Sequence, residues 1–212
     1  MSPDLATCPA RERFLDPGAA AGYEAQRFGG RRGRVANWAE RRTLERALLY
    51  LAPGSRVLDL PCGSGRMLDL LRLHRVLAAD VSPAMLAQAR RRFPRLAFVC
   101  CEAERLPFRD QAFDAVASVR MLQHLDAAER QRQLSEMARV ARLVIVTYAA
   151  PDLLVRARLA LWRRRHRERL PWFAVSRRGL GAELGAAGLR LEHLIPVLPG
   201  LSPLVVAVAR RV

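Results

Sequence analysis

Asp59 closes a short apolar run, Val57–Leu58, and is followed by Pro61, Cys62, Gly63, Ser64 and Gly65. A second acid, Asp80, closes the next apolar run, 75–80, and Ser82 and Pro83 follow it almost at once. Glycines after a strand let backbone N–H groups approach a ligand and take dihedrals closed to other residues. A carboxylate at the tip of the next strand can accept hydrogen bonds from two neighbouring hydroxyls, as on a ribose. The spacing offers two readings: a tight turn that only packs, or a cradle for a nucleotide-like ligand. A dinucleotide turn needs a third glycine where Leu68 stands, and a phosphate-binding loop needs a Gly-Lys-Ser/Thr run that is absent. Asp80 as a bare helix cap competes with Ser82, the better-placed cap.

These residues must be positioned by their neighbours. Residues 35–51 carry Val35, Trp38, Leu44, Ala47, Leu48 and Leu51 at helical spacing, and "APGS" ends the run. Short apolar strands are expected at 56–60, 75–80, 95–101, 112–119 and 142–148. Between them, 64–73 and 82–93 read as helices, the second opened by Ser82 and Pro83. Asp126 with Glu129 three residues later predicts a capping box on the helix that follows. Strand and helix alternate and the strands are nearly all apolar, which implies an α/β fold, a doubly wound, mostly parallel sheet covered on both faces. After a helix at 176–187, strands at 189–198 and 204–210 are joined by a loop too short for a crossover. An antiparallel C-terminal hairpin is therefore expected.

At 212 residues and 51% hydrophobic content, the chain suits one globular domain that needs no disulfide or metal staple. The segment before residue 35 is polar, rich in Gly and Arg, and reads as an N-terminal arm. No apolar signal region opens the sequence and no window is long enough to span a bilayer, so a cytoplasmic protein is expected. Neither the four cysteines nor the four histidines show zinc or haem spacing, and no metal is expected. The net charge of +16 points toward nucleic acid, but every one of the 36 basic residues is arginine. Such a skew fits a GC-rich coding bias and a solvated basic surface.

"VLDLPCGSGR" (57–66), "AADVSPAML" (78–86) and "CEAERLPFRDQAFDAVASVRMLQHL" (101–125) resemble, in order and spacing, the motifs of class I S-adenosylmethionine-dependent methyltransferases. Within that class they look most like the small-molecule branch of ubiquinone and menaquinone biosynthesis. The resemblance covers about residues 23–210. It implies a seven-stranded Rossmann-like sheet, with 1–34 as an N-terminal arm and 35–212 as the methyltransferase domain. A lid-like insertion would fall at 152–173. It implies S-adenosyl-L-methionine as cofactor. Asp59, Pro61, Gly63 and Gly65 would hold its methionine part, and Asp80 its ribose. Val81 and Met85 would flank the adenine, with Glu102 (more often Asp in this family) and Ala103 at the adenine edge.

The expected reaction is methyl transfer to a small-molecule or lipid- or quinone-like acceptor. Alignment behind the methyl can supply most of the rate, and an acceptor of high pKa also needs a base. His124 and Tyr148, near the carboxyl ends of the fourth and fifth strands, are the candidate catalytic residues. Tyr23 and Arg27 on the arm, Arg120, Trp162 and Trp172 are candidate substrate or lid contacts, with Arg120 expected to meet a carboxylate. Segment 152–173 pairs apolar residues and Trp162 with a basic second half, which suits an ordinary lid helix or peripheral contact with a membrane. Two alternatives stay open. An RNA methyltransferase would use the arginine-rich surface, although "SVRMLQHL" replaces the Asn/Asp-Pro-Pro-aromatic run of base-amino methylation, and aromatics are only 6%. A non-catalytic cofactor-binding protein would keep the pocket without turnover.

Overall fold

The computed structural model describes residues 30–166 and 173–212. Its elements are α1 (Arg31–Leu48), β1 (Arg56–Asp59), β2 (Arg75–Asp80), α2 (Pro83–Arg92), β3 (Ala97–Cys100), β4 (Phe113–Ser118), α3 (Ala127–Val140), β5 (Ala141–Ala149), α4 (Leu153–His166), α5 (Arg177–Ala186), β6 (Leu189–Pro196) and β7 (Leu204–Arg211). The caps form as their residue types dictate. Ser82 Oγ accepts from Met85 N–H, Ser176 Oγ accepts from Gly179 N–H, and Asp126 and Glu129 complete a capping box on α3. Helix α1 begins at Arg31, inside the segment read as an arm.

All seven strands join one sheet in the order β3-β2-β1-β4-β5-β7-β6. Pairings from β3 through β5 are parallel, and β7 runs antiparallel to both β5 and β6. The hairpin is therefore inserted inside out, with the chain's last strand reaching the sheet first. Six consecutive buried residues, Leu204–Ala209, explain that placement, because only an interior strand covers both faces. Alternate residues of the strands feed two cores. Val57, Ala115 and Ile145 pack with α1 and α2, while Leu58, Val116 and Val146 pack with α3 and α5.

One expected helix is corrected. Residues 64–73 form turns and a short 3-10 segment, Leu68–Leu71. Gly63 and Gly65 hold φ of 54° and 87°, which no α-helix tolerates. The chain still buries Met67, Leu68 and Leu71 as the apolar spacing demands.

Among the described residues no helix is long and apolar enough to cross a membrane. The strand order reverses between β1 and β4, which places a ligand crevice at their carboxyl ends. On the far side of the sheet, Arg130 ties α3 to α5. Its Nε and Nη2 donate to Glu183 at 2.9 and 2.6 Å, and its Nη1 donates to Leu125 O. The pair is largely buried, so removing one charge strands the other. Arg130→Leu is expected to cost about 2–4 kcal/mol in urea unfolding, against about 1 kcal/mol for Tyr148→Phe, which loses one hydrogen bond to the same carboxylate.

Candidate active site

The tip of β1 is fastened to the tip of β2 through one side chain. Gly63 N–H donates to Asp80 Oδ2 at 2.8 Å, and Ser82 N–H donates to Oδ1 at 2.8 Å. Burial raises the Asp80 carboxyl, and the N–H groups of Ser82, Gly63 and Val81 oppose that rise. Each carboxylate oxygen offers about two acceptor directions, so the carboxylate keeps capacity to accept from a diol. The two glycines differ in purpose. A Cβ on Gly65 would sit 3.0 Å from the Phe93 ring and 3.1 Å from Leu68, so this glycine packs the turn onto the end of α2. A Cβ on Gly63 would meet nothing within 4 Å, which leaves open ground beside Asp80.

Asp59 lies buried at the tip of β1, and its Oδ2 has no hydrogen-bond partner. Burial, and then the charge of Asp80, push its carboxyl up to about 8, with Arg66 acting in the other direction. Of four other buried side-chain atoms without partners among the described residues, Ser118 Oγ and Gln123 Oε1 lie at the end of β4 and in the turn after it, while His74 Nδ1 and Gln133 Oε1 lie before β2 and within α3. Three orphaned polar groups thus gather around the point where the strand order reverses.

The adenine side is built from β2 and β3. Cys101 N–H donates to Asp80 O at 3.2 Å, which sets the 101–103 turn beside Asp80. Glu102 there is exposed, Ala103 and Val81 are half-buried, and Met85 is buried. Pro61, half-buried, precedes the glycine turn.

On the other side, α1 is clamped to the crevice by charge. Glu40 is fully buried, with Arg66 Nη1 at 2.9 Å and Arg120 Nε at 2.8 Å. Asn37 Oδ1 accepts from Arg66 Nη1 at 2.7 Å, and Arg41 chelates Asp69 and donates to Arg66 O at 2.9 Å. This changes the expectation for Arg120. Its partner is a carboxylate of this chain, and its φ of 63° is held by an N–H bond to Thr147 Oγ1 at 2.6 Å. Tyr148 also departs from expectation. It is fully buried in the core facing α3 and α5, and its hydroxyl donates to Glu183 Oε2 at 3.3 Å. Burial and the Glu183 charge raise that phenol.

His124 ends a short 3-10 turn, Leu122–His124, after β4. Its Nε2 lies 3.2 Å from Gln123 Nε2, and Phe173 N–H donates to Gln123 O at 2.7 Å. The chain past α4 therefore returns across this turn. Tyr23, Arg27, Trp172 and the side chain of Trp162 lie outside the described residues. Among the described residues no group of three or more His, Cys, Asp or Glu could hold a metal ion.

Residues 57–143, from the first strand of this site into β5, match the family model described as "Methyltransferase domain". Over this stretch the chain is similar to class I S-adenosylmethionine-dependent methyltransferases. The chain is 42% identical over 105 residues to a demethylmenaquinone methyltransferase of Beutenbergia cavernae, covering 47% of this chain and 43% of that protein. It is 38% identical over 89 residues to a probable tRNA methyltransferase 9B of Mus musculus, covering 42% of this chain and 20% of that one. The chain thus spans less than half the length of the curated relatives it matches. In structure it resembles the magnesium protoporphyrin IX methyltransferase of Synechocystis PCC 6803 with bound SAH. The TM-score is 0.79 at 17% identity, covering 96% of this chain and 98% of that one, a likeness of fold.

Sequence reasoning missed four residues of the candidate site: Glu40, Asn37, Gln123 and Ser118. A signal existed for Glu40, since it shares the helical face of Leu44 and Ala47, where a carboxylate needs a partner. Glu40→Gln leaves two guanidiniums facing a neutral amide and is expected to cost about 3–5 kcal/mol in denaturant unfolding. Asp59 gives a pH signature. Between its ordinary value of 3.8 and about 8 the folded chain keeps a proton that the unfolded chain has released. Its contribution is therefore largest at acid pH and is lost as pH rises through about 8. Asp59→Asn is expected to remove that slope, read as a smaller drop in urea midpoint from mildly acidic to alkaline pH than the parent shows.

Proposed function

We propose that the chain transfers a methyl group from S-adenosyl-L-methionine to a small, lipid- or quinone-like acceptor. The carrying observation is the set of orphaned buried groups, Asp59, Ser118 and Gln123, beside an Asp80 carboxylate already aimed by two N–H donors. Buried groups of this kind call for a partner that the chain does not supply, and a polar ligand in the crevice is one that would reach all three. The residues fit the cofactor. Asp59 Oδ2 offers an acceptor for its ammonium, Asp80 for its ribose hydroxyls, and Val81 and Met85 an apolar wall for its adenine. Glu102 and the Ala103 N–H would serve the adenine edge.

When bound, the cofactor supplies an electrophilic methyl on a sulfonium sulfur. The chain's task is to hold the acceptor in line, and alignment of this kind is worth up to about 7–11 kcal/mol. The turn after β4 and the strand of chain at 173–175 lie on the side the acceptor must use. His124 would take the proton from the acceptor once its Nε2, which accepts from the Gln123 amide N–H, is released. Tyr148, sealed in the core, serves packing. Arg120 and Arg66 hold α1 over the crevice through Glu40.

Two supports favour a small acceptor: the demethylmenaquinone methyltransferase relatives, and a post-β4 turn lacking the Pro-Pro-aromatic platform used on nucleobases. The tRNA methyltransferase relative and the +16 charge favour RNA as the second reading. Incubation of extract with methyl-labelled cofactor, followed by separation of lipid, small-molecule, protein and RNA fractions, decides between them. Label is expected in the lipid or small-molecule fraction; label in RNA overturns the acceptor class. Asp80→Ala should weaken cofactor binding at least about tenfold by calorimetry, since it loses charge-assisted hydrogen bonds. His124→Ala should lower kcat by about a hundredfold or more with cofactor affinity unchanged. Undiminished turnover across neutral pH would remove His124 as the base.

A further inference from the structure

Helix α4 carries its apolar residues on the wrong side for a helix that only packs on the protein. Its inner face is narrow: Val155 is buried and Leu159 half-buried, four residues apart. Its outer face bears Leu153, Ala157 and Leu161 at four-residue spacing, with Leu154 beside them. Leu153, Leu154 and Leu161 are 81%, 67% and 59% exposed. Arg156 and Arg158, both exposed, flank this stripe on its two sides, and α4 contains no acidic residue.

A second element continues the same surface. Asp152 Oδ1 accepts from Val155 N–H and starts the helix, while its Oδ2 accepts from Gly200 N–H at 2.8 Å. Arg158 Nη1 donates to Gly200 O at 3.0 Å. The loop between β6 and β7 is thus pinned to the first turns of α4. A Cβ on Gly200 would stand 3.5 Å from Leu154 Cδ1, and the next residue, Leu201, is 64% exposed.

We infer that α4 and the Gly200–Leu201 loop together dock on an anionic lipid surface, with the leucines entering the headgroup–acyl boundary and the arginines meeting lipid phosphates. An in-plane interfacial helix has this layout, an apolar stripe bordered by cations that reach back to the headgroups. Fourteen residues span about 21 Å, short of the roughly 30 Å of a bilayer's hydrocarbon core, so the helix lies along the surface. A second copy of the chain docked face to face would set arginine against arginine, while anionic lipid supplies the missing charge. The inference goes beyond the methyl-transfer reading and does not depend on it.

Flotation of the full chain with phosphatidylcholine vesicles, with and without phosphatidylglycerol, tests it directly. The parent is expected to float only with phosphatidylglycerol and to be released by added salt. The triple variant Leu153→Glu, Leu154→Glu, Leu161→Glu should lose at least about tenfold in bound fraction, with the parent's circular dichroism and melting temperature. Leu201→Glu alone should give a smaller loss. Equal flotation of parent and triple variant, flotation on neutral vesicles, or no flotation at all overturns the inference. So does a concentration-dependent dimer that the triple variant abolishes. No methyl acceptor is present in the assay, so its failure and a failure of methyl transfer are separately visible.

Discussion

Two backbone N–H groups, from Gly63 and Ser82, converge on the Asp80 carboxylate, and the cofactor side of the molecule is arranged around that convergence. The loop after β1 can aim its N–H there because Gly63 holds a positive φ. Ser82 does two things at once, giving its N–H to Asp80 and its hydroxyl to the first turn of α2. One acid therefore joins the tip of β1, the tip of β2 and the start of α2. The same carboxylate raises its neighbour Asp59, so the two acids are electrically coupled across the crevice. An arrangement that keeps two carboxyls buried and close is unfavourable in an empty protein. It becomes favourable where a cationic, hydroxyl-bearing ligand matches them.

The opposite wall is held by charge as well. Glu40 would be prohibitively costly to bury alone, and Arg66 and Arg120 approach it from the glycine turn and from the turn after β4. Helix α1 is thereby registered against both loops that frame the crevice. Apolar contact alone would allow α1 to slide, since Leu44, Ala47 and Leu48 present a smooth surface; a charge with two fixed partners does not. Arg120 adopts left-handed backbone to reach this position, a conformation that a non-glycine residue keeps only where its surroundings compel it.

The C-terminal hairpin connects the sheet to the outer surface. Because β7 rather than β6 pairs with β5, the loop between the two strands emerges at the end of the sheet where α4 begins. Asp152 and Arg158 then fasten that loop to the helix. Two segments, each with exposed leucine, are made into one surface by polar bonds beneath it.

The strands, the glycine turn, the acids at two strand tips and the three helix caps were all legible in the sequence. Each depends on residues within a few positions of one another: alternation or continuity of apolar residues, a Ser or Asp one place before a helix, a glycine where φ must be positive. The chain's own spacing also showed that β6 and β7 must be a hairpin. It could not show which strand of the hairpin would lie inside, because that follows from which strand covers both faces of an assembled sheet. The helix expected at 64–73 failed for a related reason, since apolar spacing alone does not report the departures to positive φ at Gly63 and Gly65. The partners of Arg120 and Tyr148 were beyond reach of any local pattern. Glu40 lies 80 positions from Arg120, and Glu183 lies 35 from Tyr148. Spacing determined which residues stand at the ends of strands. Tertiary packing alone decided which of them face a ligand and which face each other, because a buried charge or hydroxyl takes whatever partner the fold brings within hydrogen-bond distance.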